Sequence, residues 1–169
     1  MSKFFITAIL GIIGIVTLAV IGAQFGTENV SAQAHRTAFI ELFRADIPKG
    51  KQTFSDMGTT CMEEAAGGEL PTYFTDYFNE MTAAPLVFSV ENDVYDPKDE
   101  AFQIFAGKTR AEFEQKNIVF MQKLDREPDT IKEPMLKAIE FINSNKLGLY
   151  PCIGERLLAA QKLQAPIGN

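Results

Sequence analysis

Cys61 and Cys152 are the residues of this chain with the sharpest chemical options. Cys61 falls on an apolar stripe, Phe54, Met57, Cys61 and Ala65, spaced as a helix face would be. Cys152 follows Pro151 in the first turn of a predicted helix. In an oxidising compartment, a pair with no third cysteine to confuse it is most simply one disulfide. The other option is nucleophilic, since a helix N-terminus favours a thiolate and makes Cys152 the candidate residue of a thiol enzyme. No CxxC motif accompanies it, so the disulfide is the expectation. Met57, Cys61 and Met62 offer soft ligands of the kind Cu(I) takes. On an apolar helical stripe such residues are more often core, and a disulfide removes the thiolate, so no metal is assigned.

His35 is the only histidine, and no serine motif or second base accompanies it. A Ser-His-Asp or Cys-His site would have to be assembled around it alone. Its place near the apolar N-terminal stretch predicts a solvated histidine close to a membrane surface. Residues 91–100, ENDVYDPKDE, gather carboxylates and raise a calcium reading. The EF-hand spacing fails, because no glycine occupies the sixth position and the alternation of ligands is missing. A local role fits better: Asp96 caps a helix, Pro97 takes its first position, and Asp99 and Glu100 sit in its first turn. Glu63 and Glu64 are sequence neighbours that point apart on a helix, which makes them surface residues. Asn29-Val30-Ser31 is a glycosylation sequon, relevant only to a eukaryotic secretory route. No catalytic residue, cofactor or small-molecule substrate is assigned, and the chain is not expected to be an enzyme.

The stretch that positions everything else is residues 4–25, FFITAILGIIGIVTLAVIGAQF, with no charge and only Thr7, Thr17 and Gln24 polar. As a helix it would be about 33 Å long, enough to cross the hydrocarbon core of a bilayer. One fate is a cleaved secretory signal, with Lys3 as its basic start and a small-x-small site at Ala32-Gln33-Ala34, cut after Ala34. The other is a retained anchor. Signal cores run about 7–15 apolar residues, and this run is longer. Thr7, Gly11, Gly14, Leu18 and Gly22 also share a stripe about 80° wide, and small residues on one face let membrane helices pack closely. The anchor leads, with the lipid bilayer and one or more integral membrane proteins as its partners. Lys3 keeps the amino terminus cytoplasmic, so residues 27–169 stand outside the cytoplasm on either reading. An apolar N-terminal helix leading into a globular head resembles a type IV pilin in outline. The basic leader ending in glycine and the early glutamate of that family are missing, so no family is assigned.

Of the 169 residues, those beyond the apolar stretch suit one compact domain. The net charge of −6 argues against nucleic acid and against anionic lipid headgroups. Positions 56–100 hold eleven acidic residues and one basic residue, Lys98. That run is either an acidic face for a basic partner or cation, or a solvated surface with carboxylates at helix N-termini. Helical spacing recurs in Phe39, Ile40, Phe43 and Ile47, stopped at Pro48, and again from Phe54 to a break at Gly67-Gly68. Phe74, Tyr77, Phe78 and Met81 make a third run ending at Pro85, after which residues 86–90 read as a strand or a buried extended segment. Phe113, Phe120, Met121 and Leu124 mark a fourth helix. A fifth, over 130–145, opens with the capping-box pattern Thr130 to Glu133 and buries Leu136, Ile139 and Ile142. Pro151 opens the last, which carries Leu157, Leu158 and Leu163.

The patterns add up to a mostly α chain. Residues 1–26 form a transmembrane signal-anchor (or signal) helix, 27–38 a linker, and 39–169 a small helical extracytoplasmic domain with at most one short strand. The function expected is that of a non-catalytic, single-pass accessory subunit of a larger membrane complex. It would sit in the cytoplasmic (inner) membrane with its C-terminal domain in the periplasm or another extracytoplasmic space. The alternative is a secreted or periplasmic helical binding or inhibitor protein cleaved after Ala34. A thiol enzyme using Cys152 comes third.

Overall fold

Apolar residues recurring every three or four positions give helices, and helices alone, over the residues that the computed structural model describes, 30–144 and 148–164. They are α1 (Val30–Ala45), α2 (Ile47–Ala66), α3 (Thr72–Asn92), α4 (Glu100–Arg126), α5 (Asp129–Ile142) and α6 (Leu149–Gln164). α1 and α2 form an antiparallel pair, and α6 packs on both. It runs antiparallel to α1, with Phe39 against Tyr150 and His35 against Gly154, and parallel to α2, with Phe54 against Tyr150 and Glu64 against Arg156. α3 and α5 pack on α2, and α4 packs on α3. Phe39, Phe43, Phe54 and Tyr150 make one aromatic cluster where α1, α2 and α6 meet, with ring centroids 5.6–6.2 Å apart. Tyr73, Phe74, Tyr77, Phe78, Phe113 and Phe120 make another between α3 and α4. Edge-on and tilted ring contacts of this kind add specificity to the area they bury.

Turn chemistry decides where the helices end, and it moves several boundaries from those the sequence pattern suggests. α1 takes in residues 30–38, expected as linker, and stops before Asp46. Asp46 accepts from the Lys49 amide at 2.9 Å and caps α2, so Ile47 and Pro48 begin the second helix; they do not end the first. Gly67 closes α2 at φ 77°, donating its amide to the Glu63 and Glu64 carbonyls, and glycine carries no steric cost in that region. α3 runs through Pro85. The expected strand over 86–90 is therefore helical. Leu86 and Val87 are buried there, and burying them outweighs the one amide hydrogen bond that proline cannot make. Asp99 caps α4, and Asp96 instead turns back onto the Lys98 amide, so Pro97 precedes the helix. Pro128, with no side-chain cap, precedes α5 at Asp129, so the Thr130 capping box is not used. Met135, Ala138, Ile139 and Ile142 face inward on α5, and Leu136 is 38% exposed. On α6 Leu157 is buried but Leu163 is 88% exposed.

Candidate functional site

α3 packs against α2, α4 and α1, and one side of it between α2 and α4 stays open. α2 packs along one edge and α4 along the other, while α2 and α4 do not pack substantially on each other. The result is a groove of about 640 Å³ along the face of α3. Its floor is Ala83, Ala84, Val87 and Phe88, all from α3. Lys51 and Ser55 stand on the α2 wall, and Phe105 on the α4 wall. Asp76, Glu80 and Glu91 rim it from one end to the other. Positions 76, 80, 83, 84, 87, 88 and 91 share one face of a 3.6-residue helix, so the groove follows α3 for about 22 Å at about 1.5 Å per residue.

The α2 side of the groove is fixed by a buried amide. Asn79, 2% exposed, donates from Nδ2 to the Ser55 carbonyl at 3.1 Å and to the Thr59 hydroxyl at 3.0 Å. Its Oδ1 lies against Gly58, where a Cβ would come within 2.1 Å of it. Only glycine admits α3 this close to α2. One turn further along, the Tyr150 hydroxyl of α6 donates to the Thr82 carbonyl in the core. The α4 side rests on rings: Phe88 and Phe105 stack at 4.2 Å with 12° between their planes, and Phe102 meets both edge-on. Lys116 crosses from α4 to Glu80 at 2.5 Å. Burial pushes the Tyr77 hydroxyl up to about 12 and raises that of Tyr150 further; that of Tyr73 reaches about 12 through burial, then the hydrogen bond and charge of Glu127. All three are neutral hydroxyls at neutral pH.

The cysteines meet as the sequence pattern leads one to expect. Cys61 and Cys152 form a disulfide with Cα atoms 6.2 Å apart, clamping α2 to α6. Both cysteines of the chain are thereby consumed, and Cys152 has no thiol with which to act as a nucleophile. The copper reading loses its thiolate in the same way. Among the described residues no group of three or more His, Cys, Asp or Glu is placed to hold a metal.

His35 differs from its expected place in solvent. It is 8% exposed and packs on α6, where a Cβ at Gly154 would come within 2.4 Å of its Cγ. The loop expected over 91–100 is shorter, 93–99, since Glu91 and Asn92 end α3 and Glu100 begins α4, and arginines of α1 tie it down. Arg36 donates to the Tyr95 carbonyl and Arg44 to the Tyr95 hydroxyl, each at 2.7 Å, and Arg44 lies 3.6 Å from Asp93. Ala32 and Ala34 of the expected cleavage site lie within α1. Ala34 also lines a smaller hollow between α1 and α6, about 410 Å³, with Thr37, Glu41, Leu158 and Gln161. Thr7, Gly11, Gly14, Leu18 and Gly22 lie outside the described residues. Among the described residues, no helix is long and apolar enough to cross a membrane.

Sequence reasoning misses Asn79, Gly58 and Tyr150. No local signal marks Asn79, which stands in FTDYFNEMTAAP next to Glu80 and near Asp76, where an asparagine reads as a solvated residue. Compared with known proteins, the chain matches no family model, no curated protein and no solved structure.

Proposed function

We propose that this chain is a non-catalytic, single-pass accessory subunit of a larger membrane protein complex. Residues 4–25 anchor it in the cytoplasmic membrane, and the helical domain stands on the extracytoplasmic side. The Cys61–Cys152 disulfide supports that side, since disulfides persist in oxidising compartments. The observation that carries the retained anchor over the cleaved form is the burial of His35. Cutting after Ala34 would remove the first turn of α1 and leave His35, 8% exposed, as a new amino terminus. Its ring, packed against Gly154 of α6, would then belong to a chain end, and the contacts that α1 makes with α6 through Gln33 and Ala34 would be lost. The groove along α3 supplies a contact surface for the complex.

The mass of the native protein tests the reading. Retention of residues 1–34 is expected, and a mature chain beginning at His35 refutes the anchor. The groove would serve a secreted binding protein equally well, and a start at His35 would select that reading.

A further inference from the structure

We infer that the groove between α2, α3 and α4 docks an amphipathic α-helix from a partner protein, one with an apolar face flanked by Lys or Arg. The inference rests on reading the chain as a binding subunit and adds the chemistry of what it binds. Shape is the first argument. The open side of α3 extends for about four helical turns, through Pro85, with α2 on one side and α4 on the other, the layout that helix-in-groove recognition uses. The floor is the second. Ala83 and Ala84 are small and leave room above them, while the half-buried Phe88–Phe105 stack gives the groove an aromatic surface for an incoming aliphatic side chain. The partner's large residues, at positions i, i+4, i+7 and i+11, would fill that room.

Charge decides the flanks. The lining holds three carboxylates, Asp76, Glu80 and Glu91, against the single basic Lys51. Lys116 already meets Glu80, which leaves Asp76 and Glu91 near opposite ends of the trough. The sequence around them is acidic throughout, since positions 56–100 carry eleven acidic residues and one basic residue. A basic helix is drawn to such a surface and an acidic one repelled, which also gives the run of carboxylates a use.

The test uses the full chain in non-ionic detergent micelles and a fluorescent peptide of about 15 leucine and lysine residues, with its leucines on one helical face. Anisotropy is read against micelles alone, and the same peptide with glutamate for lysine is the second probe. The wild-type chain should bind the lysine peptide saturably and the glutamate peptide far more weakly. Asp76→Lys/Glu91→Lys reverses the charge at exposed rim positions and should weaken binding about tenfold or more at low salt. Ala84→Trp fills the floor, leaves the charges alone and should weaken it by a similar factor. Three results overturn the inference: no binding above micelles alone, binding that survives the rim reversal, or binding that survives Ala84→Trp. The last would mean a charged surface with no groove contact. Because the peptide is added in solution, the inference can fail while the intact mass still shows the anchor, and the reverse.

Discussion

Gly58→Ala is the substitution that interrogates the frame of the groove most directly. On an unobstructed helix surface, glycine to alanine stabilises by about 0.5–1 kcal/mol, because alanine loses less backbone entropy. Here the new methyl would stand 2.1 Å from Asn79 Oδ1 and 3.3 Å from Ile153 Cδ1. The amide cannot simply swing away. It is 2% exposed, and its nitrogen is held by the Ser55 carbonyl and the Thr59 hydroxyl. Either α2 and α3 separate, at the roughly 1–3 kcal/mol typical of overpacking, or the amide turns and loses two hydrogen bonds of about 1 kcal/mol each. Against the gain in propensity, the net expectation is a loss of about 1–2 kcal/mol, or about 2–8 °C in melting temperature for a chain of this size. Gly107→Ala on α4 is the control, since nothing lies within 4 Å of a Cβ there, and it should be neutral or stabilising. Urea unfolding of the two variants, followed by helix content, gives the comparison. The double variant Gly58→Ala/Asn79→Ala should recover at least about 1 kcal/mol relative to the sum of its single changes. If Gly58→Ala is as stable as Gly107→Ala, or no coupling is found, the Asn79–Gly58 contact does not set the spacing of α2 and α3.

Further expectations concern the staple, the buried hydroxyls and the anchor. Replacing Cys61 and Cys152 together by serine frees a loop of 91 residues and should lower stability by about 4–5 kcal/mol if chain entropy dominates, read from the urea midpoint under non-reducing conditions. Tyr77 has a buried hydroxyl that finds no partner among the described residues, so Tyr77→Phe should be neutral or slightly stabilising at pH 7. Tyr150→Phe loses the bond to the Thr82 carbonyl and should cost about 1–2 kcal/mol in the same assay. Above pH 10 the unfolded chain releases its phenolic protons, while folded Tyr77 holds its proton to about 12. Stability should therefore be unaffected by Tyr77 below pH 10 and fall between pH 10 and 12, less steeply in Tyr77→Phe; an unchanged slope would refute the assignment. In the membrane, Gly14→Leu should leave insertion intact yet reduce co-purification with the partner complex, while Ile13→Leu, about 100° away, should not. Equal retention of the two would make the glycine stripe an accident.

How much of this was legible depended on the range of the interaction. The cysteine pair was readable because two cysteines admit one pairing. Helix faces at Phe39, Phe43, Phe54, Phe74 and Phe78 were readable because burial imposes its period locally. Pro85 misleads for the opposite reason: its local preference is to break a helix, and only the tertiary burial of Leu86 and Val87 overrides it. His35 and Asn79 look like polar residues suited to water, and what buries them comes from elsewhere in the chain, Gly154 for one and Gly58 for the other. A glycine's value as a point of close approach appears only once its neighbour across the interface is known. Tyr150 poses the same problem, since its acceptor is a backbone carbonyl 68 positions away.

The two walls of the groove are held by different physics, and this bears on how it would receive a helix. Toward α2, the face of α3 is fixed by directional contacts: the Asn79 amide, the Tyr150 hydroxyl, and behind them the disulfide that keeps α6 on α2. Each needs its partner within a few tenths of an ångström, so this wall sets a fixed edge. Toward α4 the contacts are chiefly aromatic, Phe88 on Phe105 and Tyr77 on Phe120 among them, with Lys116–Glu80 near the surface. Ring contacts are less directional than these hydrogen bonds, because their energy is spread over many weak atom pairs. α4 is also the longest helix described, 27 residues, and Ile104, Ile118 and Val119 on it face solvent. A docked helix would therefore take its register from the α2 edge and meet the ring surface of the α4 side. Substitutions on the α2 side should change whether a partner fits, and those on the α4 side how tightly it is held.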